Sequence, residues 1–119
     1  MTAPTLAIVA ARCADDKLGQ NTMVLSMVEA IGVVDAFVIT SGRNARQVRT
    51  IAEEIERVVK ETQGRSPAAI EGLADASWVL MDYGDVVIHI FLEETRAYYD
   101  LEHLWGGVPR ISWSDSVSV

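Results

Sequence analysis

"WVLMDYGDVVIHIF", Trp78 to Phe91, is the stretch whose reading decides the fold. Two apolar runs, Trp78 to Tyr83 and Val86 to Phe91, meet at Gly84-Asp85, a pair suited to the two-residue turn of a β-hairpin. With that turn, Tyr83 faces Val86, Asp82 faces Val87, Leu80 faces His89 and Trp78 faces Phe91. Side chains alternate along a strand, so one sheet face carries Trp78, Leu80, Asp82, Val87, His89 and Phe91. The other carries Val79, Met81, Tyr83, Val86, Ile88 and Ile90, and is apolar enough to be the core side. A slip of one residue would exchange the two sets.

Upstream, Leu6, Val9, Ala10 and Cys13 recur at helical spacing, with Pro4 in a position that a first turn accepts, so Thr5 to about Lys17 is expected to be a helix ending near Gly19. Thr22 to Val28 and Ala36 to Thr40 read as strands joined through Gly32 and Asp35. Val48, Ile51, Ala52, Ile55, Val58 and Val59 form one apolar stripe from Asn44 to about Thr62, with Asn44 or Ser41 as cap and Gly64 as stop. Pro67 breaks the chain before a short "AAIEG" segment. After the hairpin, Glu93 to Trp105 is expected to form a final helix packing through Tyr98, Leu101 and Trp105.

This order predicts an α/β protein: a small single domain with a mixed β-sheet flanked by helices, spanning residues 1–111. Residues 112–119, rich in serine, are expected to form a flexible C-terminal tail, with Ile111 and Trp113 as its docking points.

The 119 residues have room for one domain and one core. Cys13 has no second cysteine to pair with, which fits a reducing, cytoplasmic setting. No basic stretch leads into an apolar core, and no apolar run approaches the roughly 20 residues of a membrane span. A net charge of −7 argues against holding nucleic acid as the main mode, because that affinity comes from a surplus of Lys and Arg.

Asp82, Asp85 and His89 are residue types that build metal and acid–base sites. A catalytic zinc wants three protein ligands converging on one point, and the turn uses Asp85. A diagonal Asp82–His89 pair would orient a general base, but no serine or cysteine in a nucleophile setting accompanies it. The expectation is therefore no catalytic residue, no metal and no cofactor, with Asp85 favouring the turn and Asp82 a solvated strand end.

"TSGRNAR", Thr40 to Arg46, is the other candidate, since a strand ending at Ser-Gly before a helix makes an anion pocket. The segment resembles the nucleotidyltransferase fold, whose chemistry needs paired carboxylates on the next strand. Here the next acidic residues, Glu53, Glu54 and Glu56, lie in the middle of a helix, so the active site is missing. Ser41 and Gly42 are read as structural; a positive φ at Gly42 would make Gly42→Ala cost on the order of 1 kcal/mol.

From Trp78 to Trp105, Asp82, Asp85, Glu93, Glu94, Asp100 and Glu102 stand against Arg96 alone. That predicts an acidic surface around Trp78, Tyr98, Tyr99 and Trp105, residue types that concentrate binding energy in interfaces. Tyr98 and one of the tryptophans are expected in the core.

"WVLMDYGDVVIHIF", "ETRAYYDLEHLW" and "DAFVITSG" leading to "RQVRTIAEEIE" closely resemble the Iojap-like ribosomal silencing factors, over about Thr22 to Arg110. Ser26 stands where many relatives have Asp, and Ala36 where many have an aromatic, which touches the packing of the first hairpin. The resemblance implies a non-catalytic protein with a nucleotidyltransferase-like fold. It implies binding to the large ribosomal subunit, through the ribosomal protein numbered fourteen of that subunit at the inter-subunit face, and hindrance of subunit joining under nutrient limitation. Carried over by position, the partner-binding residues are Trp78, Leu80, Asp82, His89, Tyr99 and Trp105. A basic ribosomal protein is the natural complement of an acidic aromatic patch. Two other readings stand beside this one: a large-subunit biogenesis factor using the same surface, and a nucleotidyltransferase-type enzyme. An aromatic patch left uncovered in the free protein would favour a homodimer that competes with ribosome binding.

Overall fold

The hairpin forms in the expected register. In the structure, a computed structural model that describes residues 3–114, Trp78 pairs with Phe91, Val79 with Ile90, Leu80 with His89, Met81 with Ile88 and Asp82 with Val87. The turn closes through the Tyr83 N–H to the Val86 carbonyl at 2.9 Å, with Gly84 at φ 90°, a conformation that favours glycine.

In chain order the elements are α1 (Ala3–Asp16), β1 (Gln20–Ser26), β2 (Ala36–Gly42), α2 (Ala45–Gln63), β3 (Ala69–Glu71), β4 (Trp78–Asp82), β5 (Val86–Leu92), α3 (Glu93–Tyr99), α4 (Leu101–Leu104) and β6 (Arg110–Ile111). The strands form one mixed sheet in the order β3-β4-β5-β2-β1-β6. β2 runs parallel to β5, from Ala36 beside Val86 to Gly42 beside Leu92, and the other pairings are antiparallel. This is the small α/β domain with a helix-flanked mixed sheet that the element order predicts.

Alternation along the strands builds two cores. Val79, Met81, Tyr83, Val86, Ile88 and Ile90 join Val38 of β2 under α1 and α2, where Leu6, Ala10, Cys13, Val48, Ile51, Ile55 and Val59 are buried. Across the sheet, Leu25, Met27, Phe37, Ile39 and Phe91 form a smaller cluster, covered by Leu101, Trp105, Val108 and Ile31. β2 is buried along its whole length because it lies inside the sheet with apolar layers on both faces.

α2 is bounded as its sequence suggests. The Asn44 side chain caps it by accepting the Gln47 N–H at 2.8 Å, and the Gln47 side chain accepts the Arg43 N–H at 2.7 Å. Gly64 ends it at φ 68°. Ser26 and Ala36 pair with one another, and Ala36 is fully buried. The hairpin's irregularity lies elsewhere, between Gln20 and Met23, where Asn21 has φ 51°.

Three expectations are corrected. The helix predicted over Glu93–Trp105 breaks at Asp100, which takes φ 51° and ψ 54° and sends its N–H to the Arg96 carbonyl. Tyr98, expected in the core, is 82% exposed. Arg96 is the inward residue of α3, and a residue two positions along lies on roughly the opposite side of a helix, so anchoring Arg96 turns Tyr98 outward. Gly42 does not have a positive φ; a Cβ there would instead stand 3.1 Å from Val48 Cγ2 and 3.2 Å from its backbone nitrogen.

The tail expected from residue 112 is held at its start. The Trp113 indole N–H reaches the Thr22 carbonyl at 3.2 Å, and Arg12 donates to the Trp113 carbonyl at 2.9 Å. Residues 115–119 lie outside the described residues.

Candidate functional site

β4 and β5 place Trp78, Leu80, Asp82, Val87, His89 and Phe91 on the face away from α1 and α2, and the parallel pairing of β2 adds Phe37 beside Val87. The chain then turns back over this face as α3 and α4. Trp78 meets Phe91 at 4.8 Å and Tyr99 at 4.7 Å between ring centroids, and Tyr99 meets Tyr98 at 5.1 Å. Trp105 packs edge-on to Phe37 at 6.0 Å. Tyr98 and Tyr99 are 82% and 51% exposed, and Leu104 is exposed beyond them. The result is an aromatic strip that is rooted in the smaller core and open at its outer end.

Acidic groups border the strip. Glu71, Gly72, Trp78 and Leu80 line one shallow groove, and Ser77, Glu94, Thr95, Tyr98 and Tyr99 line another. Arg96, the one cation between Trp78 and Trp105, is buried, and its Nε–H meets Glu102 at 3.0 Å. Arg96 thus presents no cation at the surface, and Glu93 and Glu94 are exposed.

Of the six expected partner-binding residues, Trp78, Leu80, Asp82 and Trp105 are half-buried, Tyr99 is exposed and His89 lies beneath the face at 5% exposure. His89 Nδ1 accepts the Trp78 indole N–H at 3.2 Å, while its Nε2 has no hydrogen-bond partner. Burial pushes its pKa down to about 4, because charging an imidazole away from water is unfavourable. A neutral ring among Phe37, Trp78 and Phe91 is a packing group, not a base held by a carboxylate.

Both aspartates serve the turn, a role expected of Asp85 alone. Asp82 accepts the Gly84 N–H at 2.8 Å and so stabilises the turn. Asp85, in the turn itself, takes a bidentate pair from Arg65 at 2.8 and 3.2 Å, which with the backbone N–H groups of Asp85 and Val86 holds its carboxyl below the usual range. Asp82, Asp85 and His89 thus have separate partners, and among the described residues no cluster of three or more His, Cys, Asp or Glu has metal-binding geometry. Cys13 is a buried thiol pushed up to about 11 by burial, hence protonated at neutral pH.

Ser41 does structural work. It donates to the Gln20 carbonyl at 3.0 Å and accepts from Arg96 Nη1 at 3.0 Å. The same guanidinium reaches the Gln20 carbonyl at 3.1 Å and the Asn21 carbonyl at 2.7 Å. Arg96 therefore ties α3 and, through Glu102, α4 to the ends of β1 and β2. Its sequence signal was a lone cation in an acidic run, which is also how a solvated arginine reads.

A model of the family described as "Ribosomal silencing factor during starvation" matches residues 1–118 of this chain. The chain belongs to that family. A ribosomal silencing factor of Bacillus subtilis is 43% identical over 104 residues, which cover 87% of this chain and 86% of that protein. One from Halalkalibacterium halodurans is 39% identical over 110 residues, covering 92% and 93%. A crystal structure from Chromobacterium violaceum superimposes with a TM-score of 0.85 at 31% identity, covering 96% of this chain and 93% of the other. More distantly, a mouse protein named "Mitochondrial assembly of ribosomal large subunit protein 1" is 38% identical over 73 residues, which cover 60% of this chain and 32% of that protein. Ribosomal silencing factors act as translation regulators at the ribosome, and no helix among the described residues is long and apolar enough to cross a membrane.

Proposed function

We propose that this protein docks through the Trp78–Tyr99 strip onto the large ribosomal subunit, on the ribosomal protein numbered fourteen at the inter-subunit face, and blocks joining with the small subunit in the cytoplasm when nutrients run short. The observation that carries the reading is the exposed aromatic pair Tyr98 and Tyr99, continuous with Trp78 and bordered by Glu71 and Glu94. Exposed tyrosines bring large apolar area and few rotatable bonds to an interface. An acidic border suits a partner that is basic because it must hold ribosomal RNA. The role is recognition, and the groups that a catalytic reading would need are committed to the turn, to Arg65 and to the core. Assembly of the large subunit is a second reading of the same surface, favoured by the name of the mouse relative.

The test is subunit joining followed by light scattering. Wild-type protein added to separated subunits should reduce joining, and should do less to ribosomes already assembled. Tyr98→Ala removes an exposed ring without disturbing the core, and should weaken inhibition by roughly tenfold if that ring contributes the 1 to 2 kcal/mol of an interface aromatic. Undiminished joining at saturating wild-type protein defeats the silencing mechanism. Full inhibition by Tyr98→Ala rejects this surface but leaves the function standing.

A further inference from the structure

His89 poses a specific problem. It is 5% exposed, ringed by Phe37 at 4.8 Å, Trp78 at 6.0 Å and Phe91 at 6.2 Å, and its Nε2 has no partner. An indole nitrogen only donates, so the 3.2 Å contact requires a bare Nδ1 acceptor and puts the proton of the neutral imidazole on Nε2. That N–H is buried without an acceptor, which costs stability. A phenylalanine at this position would pack among the same rings and leave no unpaired donor. What the imidazole supplies and phenylalanine does not is the acceptor for Trp78.

We propose that His89 is a positioning residue for the docking face: its Nδ1 takes the Trp78 indole N–H and fixes the pose of that ring between Tyr99 and the Glu71–Leu80 groove before a partner arrives. The inference rests on the docking reading above. Trp78 is half-buried, with Phe91 and Tyr99 against its ring and Leu80 beside it in the groove. Without the acceptor, the indole N–H gains most by turning toward water, and the ring leaves the strip. A partner would then have to immobilise it on binding, which lowers affinity.

Two substitutions separate positioning from packing. His89→Phe fills the site and removes the acceptor; His89→Asn restores an acceptor at the branch point of Nδ1 but fills less of the cavity. The first readout is hydrogen exchange of the Trp78 indole N–H by NMR, assigned with Trp78→Phe, with the Trp113 indole as internal control because it bonds to the Thr22 carbonyl. Exchange at Trp78 should accelerate in His89→Phe, return toward wild type in His89→Asn, and leave Trp113 unchanged. The second readout is cosedimentation with large subunits, where His89→Phe should bind roughly three- to tenfold more weakly and His89→Asn close to wild type. The order of Tm should be the reverse, with His89→Phe the more stable variant. Unchanged Trp78 exchange in His89→Phe, or affinities that follow the order of Tm, overturns the positioning role. Absence of binding by wild type overturns the docking reading itself and the role with it.

Discussion

Mild acidification should destabilise this protein through His89. The imidazole is pushed down to about 4 from its ordinary 6.5, and burial is the cause. As pH falls, the unfolded chain takes a proton on this residue near 6.5, while the native chain resists until about 4. The unfolded state therefore binds more protons across that window. The stability associated with the neutral ring is full above 6.5 and is lost progressively toward 4. At 1.36 kcal/mol per pH unit, the whole displacement is worth about 3 kcal/mol, and about 2 kcal/mol of it is gone by pH 5. Against a total of roughly 5 to 15 kcal/mol for a domain, that is a large fraction. Urea unfolding followed by circular dichroism at about pH 7.5 and about pH 5 measures it. His89→Phe lacks the group and should lose much less over the same interval, so the difference between the two proteins isolates His89 from every other titrating residue. Asp85 does not interfere, because its carboxyl is held low by Arg65 and its contribution is lost only below its ordinary 3.8. Equal pH dependence in wild type and His89→Phe would refute the reasoning, and would mean that the ring takes up its proton in the folded protein without penalty.

Two further outcomes follow from the packing. Arg96→Met should cost about 3 kcal/mol or more in urea unfolding, because it strands the half-buried Glu102 carboxylate and the Asn21 carbonyl and leaves the Gln20 carbonyl to Ser41 alone, and Arg96→Lys should not restore it since one ammonium cannot span Glu102, Ser41 and both carbonyls. Gly72→Ala should lower stability by about 2 kcal/mol or more, read as a fall in Tm: Gly72 has φ 90°, and a Cβ there would run into the Trp78 carbonyl oxygen.

The alternation of Trp78 to Phe91 determined the hairpin, its register and its core side by itself, because a period of two with a Gly-Asp turn admits few pairings. The stripe from Val48 to Val59 determined α2, and Asn44 and Gly64 its ends, since caps and periodicity are local chemistry. The long ordered motifs likewise carried the family. What lay beyond the sequence depended on partners distant along the chain. Phe37 enters the aromatic face only because β2 runs parallel to β5, a pairing that no local pattern specifies. Arg96 and Tyr98 looked like a solvated cation and a core ring. They exchange places because the guanidinium finds carbonyls and a hydroxyl some 55 to 76 residues away, and its inward turn points Tyr98 at the solvent. Asp82 and Asp85 follow the same rule: Arg65, 20 residues from Asp85, reaches the Asp85 carboxylate, and Asp82, expected to be solvated, helps to hold the turn through the Gly84 N–H. A side chain's local setting states what it can bond to, and only the folded chain decides which of those groups arrives.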